Sequence, residues 1–214
     1  MTGLFVKDMH LIFRNKPYVV LFMILTVMLG FSQEGTFVVG YFPYAMLFLI
    51  INTIGYDELD NGYPFLMTLP INAKIYVREK YILSLAGAVL SWLFAAMLYF
   101  ASKILHGTEI GMLTDVPLIA AFLPVIILMG DLMIPLELRF GIENSRLVLV
   151  GLCVVTGLII FTFAKCTIQN GKNIFAFLDN MNGGAVVCMG IGLTMAITVI
   201  SYIISVGIMK KKEF

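Results

Sequence analysis

A chain of 214 residues that is 60% hydrophobic and 13% charged, with mean hydropathy +0.98, departs far from a soluble domain, in which about a quarter of residues are charged. The composition excludes a soluble domain and points to an all-α integral membrane protein. A net charge of +1 carries no mark of a nucleic-acid partner, and the positions of the charges matter more than their sum.

The chain reads as one transmembrane domain, 1–214, made of an amphipathic segment (1–16), six spanning helices within 17–208 and a basic tail (209–214). In LFVKDMHLIFRNK, Lys7, His10 and Arg14 recur at i, i+3 and i+7 on one helical face, while Phe5, Met9, Ile12 and Phe13 occupy another. The spacing predicts a helix in the membrane interface, apolar side down. A plain positively charged topology anchor explains the charges equally well. The basic start also has the look of a signal peptide, but no small-residue cleavage site follows, so the segment is expected to be retained.

A helix needs about 20 mostly apolar residues to cross the hydrocarbon core. Six stretches supply them, roughly 17–32, 37–55, 81–104, 116–136, 147–167 and 184–208. Ser32 to Thr36 leaves room only for a tight turn, so the first two form a hairpin. Basic residues are retained on the cytoplasmic side. With both termini inside, eleven of the 14 lysines and arginines face the cytoplasm.

The most polar stretch, DELDNGYPFLMTLPINAKIYVREK (57–80), joins the second and third spans. Asp57, Glu58 and Asp60 read as a solvated helix end, because one carboxylate-rich turn lacks the ligand spacing of a cation site. Asn61-Gly62 breaks the helix and Tyr63-Pro64 can start a short one. Phe65, Leu66, Met67 and Leu69 give that element an exposed apolar surface, which needs a partner. Leu69-Pro70 stops it, and Asn72 can cap the helix that carries Lys74, Arg78 and Lys80.

Asp131 is the deepest ionisable residue. An intramembrane carboxylate costs about 2.5–3.5 kcal/mol, and two readings are open. It is a functional group or, as preferred here, the cap of a helix kinked at Pro135, paired with Arg139. Beyond it, MIPLELRFGIENSRL (133–147) reads as a cytoplasmic elbow: Pro135 ends or kinks the fourth span, Gly141 allows a bend, and Glu137, Arg139, Glu143 and Arg146 alternate in sign. Residues 168–184 have an apolar centre, Ile174 to Leu178, too short to span. They read as an outer re-entrant or interfacial element, with a plain loop as the alternative. Cys153, Cys166 and Cys188 lack the spacing of a metal site or a disulfide framework, so no metal site is assigned.

Taken together, Lys7 and Asp8 in an amphipathic start, DEL closing the second span, TLPINAKIYVREKY before the third and PLELRFGIENSRL after the fourth resemble the small permease subunits of ABC-2 type transporters. The nearest branch is the one associated with export of phenol-soluble modulins and other membrane-active peptides in Gram-positive bacteria. The resemblance implies a coupling element that docks on a separate ATPase subunit, formed by Tyr63, Pro64, Phe65, Leu66, Met67, Leu69 and Pro70, with Asp57, Glu58 and Lys74 nearby. It implies a connecting helix that contains Lys7, Asp8, His10 and Arg14, an outer re-entrant element at 168–184, and residence in the bacterial plasma membrane.

The chain contains no G-x-x-x-x-G-K-[ST] phosphate loop. No cofactor is therefore expected on this chain, and ATP and Mg²⁺ would belong to the partner ATPase. Six spans are few for a pathway, so a second permease chain, identical or not, is expected beside the lipid bilayer and an amphipathic peptide substrate. An accessory membrane anchor for an ATPase is one competing reading. An intramembrane enzyme is another, but it would need a paired base and nucleophile or metal ligands at depth. The two histidines, His10 and His106, lie at a terminus and in an outer loop, and no catalytic residue is assigned.

Overall fold

The computed structural model describes residues 2–14, 16–31, 36–58, 62–63, 72–107, 110–111, 115–170 and 183–212, the side chains of 2, 142–143, 146, 149, 152–170 and 183–187 excepted. Long apolar runs satisfy their own backbone groups as helices, and the elements in order are α1 (Thr2–Arg14), α2 (Lys16–Gly30), α3 (Thr36–Glu58), α4 (Ala73–Leu105), α5 (Asp115–Asn170) and α6 (Gly183–Lys211). No strand occurs among the described residues.

Four helices among the described residues are long and apolar enough to cross a membrane: Thr36–Glu58, Ala73–Leu105, Asp115–Gly141 and Cys188–Lys211. The expected first span coincides with α2, which has 15 residues and so is about 22 Å long at ~1.5 Å per residue, short of a core of ~30 Å. It meets α1 at a bend of 67°. The expected fifth span falls in the second part of α5, where the backbone is helical and most side chains lie outside the described residues. The central residues of the expected outer element, 171–182, also lie outside them.

Helix α4 has 33 residues, about 50 Å at ~1.5 Å per residue. It outruns the hydrocarbon core, so at least one end stands among headgroups or beyond. It begins at Ala73, well before the expected start of the third span. Asn72 occupies the capping position with φ −91° and ψ 152° but makes no side-chain cap bond. Its carbonyl instead accepts from the Ile75 and Tyr76 amides at 2.8 and 3.1 Å.

Helix α5 corrects the expected elbow. Pro135 lies inside the helix, as Pro124 does, and as Pro43 does in α3. The helix breaks at Gly141, with φ 75° and ψ 175°. A membrane helix tolerates an internal proline because neighbouring groups satisfy the freed carbonyl, whereas a positive φ strongly favours glycine. Glu137 and Arg139 therefore belong to the helix and not to a linker, with Glu137 buried and Arg139 exposed over the Phe140 ring at 5.3 Å. The side chains of Glu143 and Arg146 lie outside the described residues.

One hydrophobic core joins α1, α3, α4, α5 and α6 through Leu4, Ile54, Val77, Ile134, Leu138 and Met209. Small residues let the helices close up. A Cβ at Gly87 of α4 would meet the Ile50 side chain of α3 at 2.1 Å, and one at Gly130 of α5 would meet Ser84 at 3.0 Å and Leu47 at 3.3 Å. Large apolar side chains such as Leu90, Met97, Leu132 and Ile203 point outward, as expected of helices whose solvent is lipid.

Candidate functional site

The chemistry-bearing side chains gather where α1 crosses the end of α3 and the start of α4. The helical period allows α1 three faces, and the reading from sequence assigned two of them. The structure uses the third: Leu4 and Asp8, one turn apart, are buried against the bundle, while His10, Arg14 and Phe13 are exposed. The α1 helix is thus docked by a carboxylate and is more than an apolar surface float.

Asp8 meets Lys80 of α4, which is itself buried. The Lys80 ammonium also donates to Thr53 Oγ1 at 3.0 Å and lies 3.0 Å from Asp57 Oδ2. Asp57 accepts from Lys7 and, at 2.9 Å, from the Tyr76 hydroxyl. Lys7 lies 3.3 Å from Asp8 Oδ1, which closes a ring of two carboxylates and two ammonium groups. The Tyr76 ring stands 5.3 Å from Lys80. Burial pushes the Lys7 ammonium down, and the Asp57 and Asp8 carboxylates more than offset this, holding it above the ordinary 10.5.

Asp57 is therefore not the solvated helix end expected. Two lysines and a tyrosine draw its carboxylate inward, so its side chain is not available to a docking partner. Buried ion pairs add little net stability, but removing one partner leaves an uncompensated charge. Such a knot specifies where α1 sits more than it stabilises the bundle.

Next to this knot, three segments far apart in sequence converge. Tyr63 is buried, its hydroxyl donates to the Ile54 carbonyl at 3.3 Å, and its ring meets Tyr76 edge to face at 6.0 Å. Burial raises the Tyr63 phenol above its ordinary 10.0. Lys212, just past α6, lies 4.6 Å above the Tyr63 ring and 3.7 Å from Glu58 Oε1. Glu58 also abuts the break in α5, where a Cβ at Gly141 would fall 2.7 Å from Glu58 Oε2. Lys74 is exposed on the first turn of α4. The expected coupling residues Pro64, Phe65, Leu66, Met67, Leu69 and Pro70 lie outside the described residues. Arg139, Lys211 and Lys212, with Ile204, Gly207 and Ile208, line a cavity of about 510 Å³ at this end.

Asp131 belongs to a different network. It is buried and accepts from Thr198 Oγ1 of α6 at 2.6 Å. Its own carbonyl accepts from Ser201, and Ser201 and Ser205 share the Tyr81 hydroxyl at 2.6 and 2.9 Å. It neither caps a helix end nor pairs with Arg139. Because α5 continues through Pro135, the two residues stand about 12 Å apart along the axis at ~1.5 Å per residue. At the far end of α4, Lys103 pairs with Asp115 at 2.6 Å and ties α4 to α5.

The reading from sequence included Lys7, Asp8, Asp57, Glu58 and Tyr63 and missed Thr53, Tyr76, Glu79 and Lys80 as members of one site. The available signal was Tyr76 and Lys80, one turn apart on a helix that turns apolar immediately afterwards. Among the described residues, no group of three His, Cys, Asp or Glu side chains is placed to hold a metal ion.

In comparisons with known proteins, the model of the family described as ABC-2 family transporter protein matches residues 3–210. No curated protein and no solved structure matches significantly.

Proposed function

As a member of the ABC-2 transporter family, a multi-pass membrane protein and the permease component of an ABC transporter, the chain works with energy supplied elsewhere, and we propose that a separate ATPase subunit docks on the 57–80 stretch and drives export through a pair of permease chains. The observation that carries this reading is the convergence of Glu58, Tyr63, Gly141 and Lys212 beside the ion-pair knot. A push on the 57–80 stretch reaches α1 through Asp57, the break in α5 through Glu58, and the end of α6 through Tyr63 and Lys212. One docking point thus bears on the helices that would have to move.

ATP and Mg²⁺ sit on the partner, both termini of this chain face the cytoplasm of a bacterial cell, and the substrate is an amphipathic peptide of the phenol-soluble modulin or antimicrobial type. The apolar groove of about 380 Å³ lined by Phe5, Met9, Met23, Phe42 and Phe94 among others supports an apolar cargo face.

The test is the ATPase rate of the permease with its partner ATPase in lipid nanodiscs, comparing wild type with a Phe65→Asp, Leu66→Asp double variant and checking recovery of the complex in parallel. Loss of both association and turnover, with the permease still folded, is expected. Unchanged binding and turnover would overturn the assignment of the coupling stretch.

A further inference from the structure

Helix α6 ends in a pattern that the proposed coupling stretch does not use. Ile204, Gly207, Ile208 and Lys211 recur at i, i+3, i+4 and i+7, so they share one helical face, apolar along its length and basic at its tip. With Arg139 of α5 and Lys212, that face lines the cavity of about 510 Å³, a size within the ~300–1,000 Å³ of small-ligand sites. Gly207 keeps it open. A Cβ there would meet nothing within 4 Å among the described residues, whereas one at Gly87 or Gly130 would strike a neighbouring helix.

The basic wall of the cavity is only partly neutralised. Lys212 faces Glu58 at 3.7 Å and the Tyr63 ring at 4.6 Å. Arg139 and Lys211 are exposed, and among the described residues neither pairs with a carboxylate and no carboxylate lines the cavity. Both stand at a membrane boundary, Arg139 just before the end of the apolar span Asp115–Gly141 and Lys211 at the end of the span Cys188–Lys211. A single basic side chain at a helix end does no more than reach up to water. Two of them, from different helices, over one cavity with an apolar wall, fit a ligand that joins an anion to an apolar tail.

We infer that this cavity binds an anionic glycerophospholipid, its phosphate held by Arg139 and Lys211 and an acyl chain lying along Ile204, Gly207 and Ile208. A guanidinium fork matches phosphate oxygens in pairs, and the ammonium adds a point charge. Free phosphate would satisfy the two cations and leave the apolar wall beneath them bare. A bilayer lipid brings both halves of the ligand at once, and basic pockets between membrane helices select anionic headgroups. A zwitterionic lipid carries its own cation and gains less from two more. The bound lipid ties the end of the α5 span, beside the break at Gly141, to the end of α6. The inference rests on the fold and on membrane residence, and is independent of the cargo and of the coupling stretch.

The test is native mass spectrometry of the delipidated full chain in detergent, titrated with phosphatidylglycerol, phosphatidylcholine or inorganic phosphate, with the melting temperature read in parallel. Wild type should retain phosphatidylglycerol in preference to phosphatidylcholine and melt higher in its presence. A basic group near an anionic headgroup is worth about fivefold in binding, so the Arg139→Gln, Lys211→Gln double variant should hold phosphatidylglycerol about 30-fold more weakly. The charge-matched Lys16→Gln, Lys210→Gln variant, whose residues do not line the cavity, should retain it. Gly207→Leu keeps every charge and fills the space, and it should lose the lipid too; it decides the question if the double variant fails to fold. Equal retention of the two lipids, equal loss in the charge-matched variant, undiminished retention in Gly207→Leu, or stabilisation by inorganic phosphate as large as that by the lipid overturns the proposal. So does a double variant that keeps phosphatidylglycerol and loses the partner ATPase, which would make the cavity a protein contact.

Discussion

Replacing Lys80 by methionine keeps the bulk of the side chain and removes its charge, leaving Asp8 and Asp57 buried with Lys7 as their remaining ammonium partner. At 3.0 Å and an effective dielectric of about 20, one carboxylate attracts the ammonium by about 5 kcal/mol. Desolvation of the three groups offsets most of that sum, so the native pair is worth little net. The variant, however, keeps the desolvated carboxylates and loses their partner, which costs about 3–5 kcal/mol. Lys80→Met should therefore lower stability by about that amount in denaturant unfolding. Adding Asp8→Asn removes one stranded charge and leaves Asp57 balanced by Lys7, so the double variant should recover about 2–3 kcal/mol of the loss. A single-variant loss below about 1 kcal/mol, typical of a solvated pair, or strict additivity in the cycle, would refute the account of a buried, mutually dependent knot.

Gly141→Ala should destabilise by about 1–3 kcal/mol from the backbone alone, since φ 75° with ψ 175° is a region essentially reserved for glycine, and by more because its Cβ would press on Glu58 at 2.7 Å. Melting of Gly141→Ala with and without Glu58→Ala separates the two parts, since only the contact with Glu58 is relieved in the double variant. For Lys7, a value raised above 10.5 means that the folded state holds the proton more tightly than the unfolded chain, so its contribution is fully present below 10.5 and is lost as pH climbs through the folded value. The melting-temperature difference between wild type and Lys7→Met should hold steady from neutral pH up to 10.5 and shrink only beyond it. A difference that already fades near neutral pH would show that Lys7 is not held by Asp57 and Asp8.

Some of the site is legible in the amino-acid order. Gly141 marks a bend because glycine alone among the residues of 133–147 reaches a positive φ without cost, and the break falls there. The same logic overrates Pro135, since the cost of an internal proline depends on what else can satisfy the freed carbonyl. Pairing Asp131 with Arg139 rests on the premise that the helix stops between them. Because the helix continues, the geometry forbids the contact, and the true partner, Thr198, comes from a helix 67 residues away in sequence.

What the sequence determined alone was the class of the protein. Its apolar runs have no alternative in lipid but to bond their own backbones as helices, and run length sets where most of them begin and end. What only the tertiary structure decided was the inner or outer fate of each charge. Asp57 and Glu58 are neighbours with the same chemistry, yet one is buried between two lysines and the other reaches the break in α5. A helix period says which residues share a face, but not what that face meets. Asp8 and Lys80 lie 72 residues apart, and their pairing exists only because α3 and α4 pack closely enough to leave α1 a single charged seat.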